Sequence, residues 1–273
     1  MSLDRIRLAS LHNKVISPEQ AAEFIEDGMT VGMSGFTRAG EAKAVPLALV
    51  QRAKANPLKI TLITGASLGN DLDKQLTEAG VLARRLPFQV DNTLRKAINK
   101  GEVMFIDQHL SETVEQMRNQ QLKKPDVAVI EAVAITEDGG IIPTTSVGNS
   151  ASFAIFAEKV IVEINTNLSP AFEGLHDIYI PTYRPTRQAI PLTQVDERIG
   201  THAINIDPSK IVGIVFNSEL HDSPSTVTAP DDETQSIANH LIAFFEKEVA
   251  EERLPKNLGP LQAGIGSIAN AVL

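Results

Sequence analysis

Cysteine is absent from the 273 residues. That removes disulfides, thiolate nucleophiles and cysteine-ligated zinc from consideration. Tryptophan is absent too, tyrosine occurs only at Tyr179 and Tyr183, and aromatics total 4%. A surface that stacks bases or sugar rings needs more aromatic side chains than this. No apolar run is long enough to span a bilayer. The opening stretch, MSLDRIRLASLHNK, is too charged for a secretory leader. Basic residues are in deficit, with 25 Lys and Arg against 34 Asp and Glu, a formal net charge of −9. Such a chain repels nucleic acid and anionic membranes at long range, so neither is expected as a partner. A local site for one small anion stays open. The expected location is the cytoplasm.

What is present is an ordinary globular composition, 42% hydrophobic and 22% charged, long enough for a substantial core. Continuous β-branched runs recur at residues 29–33, 59–64, 102–107, 126–131, 159–164 and 210–216. Runs without polar alternation are the mark of parallel strands buried on both faces. Helical patterns lie between several of them, near residues 45–54, 71–79, 111–122 and 149–158. Ser17-Pro18-Glu19-Gln20 carries a capping box and opens a first helix that Gly28 closes. The alternation predicts an α/β fold: an open, mostly parallel sheet with helices on both faces. Asp138-Gly139 has the chemistry of a hairpin turn between two short strands. Residues 165–207 read as a long irregular segment. A helix beginning at Asp231-Asp232 carries an apolar stripe of Ile237, Leu241, Phe244, Phe245 and Val249. The chain stops about two turns into a last apolar helix, so its C-terminus reads as cut.

Several loops have the composition of ligand sites. Gly264-Ile265-Gly266-Ser267-Ile268-Ala269 places G-x-G-x-x-A at a helix start, where free N–H groups cradle phosphate. A plain structural turn uses the same glycines. Gly32-Met33-Ser34-Gly35-Phe36 and Thr64-Gly65-Ala66-Ser67 each follow a strand, and ligands of open sheets collect beyond the carboxyl ends of strands. Thr144-Thr145-Ser146-Val147-Gly148 is a third small polar loop, and three such loops point to a shared cleft. Glu131 and Glu163 end apolar strands, either as catalytic carboxylates or as partners for a helix or loop amide. The six histidines are scattered, which argues against a metal site, and no G-x-S-x-G occurs.

Taken in order, these loops resemble the acetyl-CoA hydrolase/transferase family, a branch of the class I CoA-transferases. The resemblance rests on Gly32-Met33-Ser34-Gly35-Phe36-Thr37, Lys43-Ala44-Val45-Pro46, Thr64-Gly65-Ala66-Ser67 and Asp107-Gln108-His109-Leu110-Ser111. It continues through Ile142-Pro143-Thr144-Thr145-Ser146-Val147-Gly148, Gly174-Leu175-His176-Asp177-Ile178-Tyr179 and Pro260-Leu261-Gln262-Ala263-Gly264-Ile265-Gly266. One departure is Gly40-Glu41-Ala42-Lys43, where the family more often has an aromatic-proline pair before the lysine. That leaves the acyl preference open.

The resemblance implies two similar α/β domains with the active site between them. A glutamate attacks acyl-CoA, CoA returns to the resulting anhydride to form a glutamyl-CoA thioester, and a second acid collects the CoA. It implies that this chain is the N-terminal half, with residues 1–259 as one domain and 260–273 as the glycine turn opening the second. The nucleophilic glutamate is expected beyond Leu273, leaving Glu131 and Glu163 structural. Gly264, Ile265, Gly266, Ser267 and Ile268 are expected to meet CoA, and Gly35 and Ser67 to face the acyl or carboxylate end. Coenzyme A is then a substrate, with no resident cofactor or metal. The other partner is a small carboxylate such as acetate or succinate, and the full enzyme is expected to be a homodimer. Two other readings are a noncatalytic acyl-CoA-binding or assembly module and a nucleotide-binding oxidoreductase domain. A dinucleotide fingerprint normally follows the first strand, whereas this glycine turn is at the far end.

Overall fold

A computed structural model describes residues 3–33, 35–36, 38–69, 71–182, 185–222, 229–259, 261–264 and 266–272. The chain divides into two compact units, Met1–Ser223 and Pro224–Leu273. The first unit is an eight-stranded α/β sheet. Its strands are β1 (Thr30–Met33), β2 (Ile60–Ile63), β3 (Leu82–Leu86), β4 (Met104–Phe105), β5 (Val127–Ile135), β6 (Ile141–Pro143), β7 (Lys159–Asn165) and β8 (Ile211–Asn217). Its helices are α1 (Pro18–Ala22), α2 (Ala44–Ala55), α3 (Leu72–Glu78), α4 (Asn92–Asn99), α5 (Leu110–Arg118) and α6 (Ser150–Phe156). The order across the sheet is β4-β3-β2-β1-β5-β7-β8, and β6 pairs antiparallel with β5. Every other pair is parallel.

Strand burial explains the apolar runs. All nine residues of β5 are buried. Its alternate residues feed two cores: Val127 and Val129 join the one that holds α2, while Ala128, Ile130 and Ala132 join the one that holds Phe153 of α6. In β7, Ile161 goes with the first core and Val160, Val162 and Ile164 with the second. A strand sandwiched in this way has no solvent face, so polar alternation is lost. Glu131 and Glu163 continue the parity of Val129 and Ile161. They therefore point to the side that α2 covers.

The structure differs from the sequence expectation in five places. The first helix ends at Ala22 rather than Gly28, although its Ser17–Gln20 capping box forms as read. The strand expected over 102–107 shrinks to β4. The strand expected to end at Glu131 runs on to Ile135 and forms the hairpin with β6. Strand β3 and helix α4 are additions. The sequence Leu82-Ala83-Arg84-Arg85-Leu86 hides a strand because two arginines break its apolar pattern. Arg85 is nevertheless fully buried. It forms a two-point pair with Asp73, at 2.8 and 3.1 Å, and donates to Thr64 Oγ1 at 2.8 Å. Bidentate pairing of this kind lets a guanidinium be buried.

The chain enters the sheet at β1, builds outward through β2, β3 and β4, and then crosses back to β5 on the other side of β1. The topological switch point thus lies between β1 and β5. In open α/β sheets the crevice beyond the strand ends at this point is the usual ligand position.

The second unit contains α7 (Asp232–Ala250) and α8 (Ser267–Val272). Asp231 caps α7 by accepting from Thr234 N at 2.8 Å. Ile237, Leu241 and Phe244 of the apolar stripe are 40%, 39% and 54% exposed, so the stripe is not a finished core. Among the described residues no helix is long and apolar enough to cross a membrane.

Candidate functional site: a buried carboxylate cluster at the switch point

Three of the small polar loops meet beyond the ends of β1, β2 and β6. A Cβ on Gly40 would lie 2.5 Å from Ser146 Oγ, and Ser146 Oγ donates to Ala39 O at 2.7 Å. A Cβ on Gly69 would strike Glu41 Oε1 and come within 3.0 Å of the Arg38 backbone. Asn149 Nδ2 donates to Thr64 O at 3.3 Å. The loops after β1, β2 and β6 are therefore interlocked by short backbone contacts that only small residues allow.

Beneath them lies a buried charge cluster. The Lys43 and Glu131 side chains are both fully buried, with Lys43 Nζ 2.5 Å from Glu131 Oε2. Lys43 Nζ also donates to Glu41 O at 2.7 Å and lies 2.8 Å from Asp222 Oδ1. Glu131 accepts further from Thr144 Oγ1 at 2.7 Å and Asn165 Nδ2 at 3.4 Å. Glu163 accepts backbone hydrogen bonds from Lys43 N, Ala44 N and Val45 N, at 2.9, 2.9 and 3.0 Å. Those are the orphan donors at the start of α2, whose N-cap residue, Lys43, makes no side-chain cap bond. A carboxylate more than a hundred residues away in sequence thus caps the helix. Hydrogen bonds to a charged group contribute about 1.5–3 kcal/mol each.

Electrostatics follow from this packing. Burial pushes the Glu131 carboxyl up to about 7, with the Lys43 charge opposing the rise. Burial also raises Glu41, again against Lys43. Burial raises Glu163, and the three backbone N–H groups counter it. For Lys43, burial pulls downward, but Glu131, Asp222 and Glu41 together hold the ammonium above its ordinary range. The cluster keeps a lysine charged inside the protein while three buried carboxyls share the surrounding donors.

The sequence-selected residues fall into separate places. Gly35 and Ser67 are buried in the loops after β1 and β2. A Cβ on Gly35 would lie 2.6 Å from Ala39 O and 2.7 Å from Glu41 N, so the loop's own folding requires glycine there. Gly264, Gly266, Ser267 and Ile268 belong to the second unit, and Ile265 lies outside the described residues. Among the described residues, apart from its chain neighbours, nothing lies within 4 Å of a Cβ built on Gly264. The turn lines a cavity of about 570 Å³ together with Leu241, Phe245 and Leu261. A separate cleft of about 380 Å³ is lined by Arg118 and Arg187, by Val147 and Gly148 of the loop after β6, and by Asp177 and Tyr179; Gly35, Ser67 and the Gly264 turn are not part of its lining. Sequence reasoning missed Lys43 as the partner of Glu131, and Asp222 as a second partner of Lys43. The available signal was a lone glutamate inside an apolar strand, which demands buried donors, either a cation or free backbone N–H groups.

The chain belongs to the acetyl-CoA hydrolase/transferase N-terminal domain family, whose model matches residues 2–216. It is 44% identical over 272 residues to the succinyl-CoA:acetate CoA-transferase of Clostridium kluyveri, covering 98% of this chain and 50% of that protein. It is 42% identical over 280 residues to the acetyl-CoA hydrolase of Schizosaccharomyces pombe, covering 98% of this chain and 53% of that one. The chain spans about half the length of the curated relatives it matches. Among solved structures, RipA from Yersinia pestis superposes with a TM-score of 0.61 at 20% identity, over 95% of this chain and 53% of that one. Glutaconate coenzyme A-transferase from Acidaminococcus fermentans gives 0.51 at 14% identity, over 75% and 76%. At such identities the two structures establish the fold alone.

Proposed function

We propose that this chain is the N-terminal half of an acyl-CoA:carboxylate CoA-transferase or acetyl-CoA hydrolase that works through a glutamyl-CoA thioester. The observation that carries this reading is high identity, along nearly the whole chain, to one named transferase and one named hydrolase. On this reading residues 1–259 form the N-terminal domain and 260–273 open the second, which supplies the nucleophilic glutamate. Coenzyme A is a substrate, the acyl donor and acceptor are small acids such as succinate and acetate, and the whole enzyme is a cytoplasmic dimer.

Within the chain, we assign Gly264, Ile265, Gly266, Ser267 and Ile268 to CoA. The open space around Gly264 among the described residues and the cavity beside the turn support this assignment, since an uncrowded glycine lets a ligand approach the backbone. Gly35 and Ser67 border the acyl end. Glu131 and Glu163 are structural, because their oxygens are already engaged by Lys43, Thr144 and the start of α2. Remote CoA binding then assists chemistry at the thioester. The test is thioester exchange in the full-length protein, supplied with succinyl-CoA and isotopically labelled acetate. Labelled acetyl-CoA marks a transferase, and free CoA without label transfer marks a hydrolase. Formation of neither product would sink the reading.

A further inference from the structure

The carboxylate of Asp222 sits among donors that no motif above explains. Its Oδ1 lies 2.8 Å from Lys43 Nζ, its Oδ2 accepts from Thr145 Oγ1 at 3.0 Å, and both oxygens lie 3.3 Å from Gly40 N. The three donors come from separate positions: the loop after β1, the residue before α2 and the loop after β6. The backbone at Gly40 is pressed against the last of these loops, with φ at +71° and no room for a side chain, which fixes the direction of its N–H. Lys43 is fully buried, whereas the Asp222 side chain is 25% exposed. The cradle is thus walled by protein and opens to solvent through Asp222 itself. Asp222 is not the only carboxyl on this ammonium, since Glu131 Oε2 lies 2.5 Å from its Nζ. An ammonium, a backbone N–H and a hydroxyl converging on two oxygens is the donor set of a carboxylate site.

We propose that this cradle binds the carboxylate of a small organic acid, and that Asp222 is an internal occupant which a free acid displaces. Its use as the seat of an acid substrate rests on the CoA-transferase reading above; the binding itself does not. A tethered carboxylate competes at an effective concentration on the order of millimolar or more. The unaltered chain therefore binds free acids weakly, and removing the occupant exposes the site.

The experiment uses acetate as the probe, with no CoA present. Thermal melting and carbon-13 acetate line broadening are measured for the chain, for Asp222→Ala and for the near-isosteric Asp222→Asn, against sodium chloride of equal ionic strength. Asp222→Ala is expected to melt lower than the parent chain in chloride. Acetate then restores the melting point saturably, with an apparent affinity at least tenfold tighter than in the parent. Adding Thr145→Val, a change at an exposed hydroxyl, weakens that acetate response severalfold. The proposal is overturned if neither Asp222 variant shows a saturable acetate effect beyond chloride, or if Thr145→Val leaves the effect unchanged. Because CoA is absent, such a failure leaves the transferase reading standing, and failed thioester exchange leaves the acetate result standing.

Discussion

Glu131 and Glu163 stand at the same register position of adjacent parallel strands and grip the same residue in two ways. Glu131 takes the Lys43 ammonium, and Glu163 takes the Lys43 backbone N–H together with the next two of α2. One rung of the sheet thereby fixes the end of the loop after β1 and the start of the helix that follows.

Losing the cap from Glu163 should be costly. Glu163→Ala leaves three backbone N–H groups, two of them buried, without their acceptor, and we expect a loss of about 3 kcal/mol or more. Glu163→Gln keeps one acceptor oxygen and should recover part of it. Urea unfolding of the three proteins measures both. A loss below about 1 kcal/mol for Glu163→Ala would show that the cap carries little.

The Lys43–Glu131 pair should behave as a unit. Glu131→Leu leaves a buried ammonium short of its nearest partner, for an expected loss of about 3–5 kcal/mol. Lys43→Met combined with Glu131→Leu should lose distinctly less than the two single changes summed. Additive losses in the double-mutant cycle would mean that the two side chains are independent.

Stability should fall as pH rises through neutrality. The folded Glu131 carboxyl titrates near 7, above the ordinary value of 4.5 it takes when unfolded. Between those values the folded chain holds a proton that the unfolded chain has released. The contribution is therefore complete below about pH 4.5 and is lost as pH rises through about 7, at a slope of up to ~1.4 kcal/mol per pH unit. Unfolding measured from pH 5 to 8 should show this slope in the parent and a flatter profile in Glu131→Gln. Identical profiles would remove Glu131 as the titrating group.

Gly264→Val should weaken CoA binding more than folding. Among the described residues, and apart from its immediate chain neighbours, nothing lies within 4 Å of the added Cβ, so the fold has space for it. A ligand phosphate approaching the turn does not. Calorimetric titration of CoA into the full-length protein, paired with melting curves, should show a tenfold or greater loss of affinity at a nearly unchanged melting point. Equal affinity would take the turn out of the CoA site.

Much of this was legible in the residues. The parallel sheet follows from apolar runs such as Val127–Ile130, because only two-sided burial removes polar alternation. The loops after β1, β2 and β6 were visible as small polar stretches at strand ends. Their interlocking through Gly40, Gly69 and Asn149 was not, since it depends on tertiary approach. Strand β3 was hidden because Arg84 and Arg85 look like surface residues until Asp73 is placed beside Arg85. Asp222 was hidden because an aspartate in a polar stretch carries no sign of the lysine it will meet.

On the function proposed above, Glu131 and Glu163 are scaffold and the covalent glutamate lies outside this chain. Borohydride trapping tests this directly. The chain of residues 1–273 and the full-length protein are each incubated with acetyl-CoA or succinyl-CoA plus acetate, reduced, digested and mapped by mass spectrometry. The account predicts no turnover and no reduced glutamate in the chain alone, with a single reduced glutamate beyond Leu273 in the full-length protein. Turnover by the chain alone with reduction at Glu131 or Glu163 would contradict it.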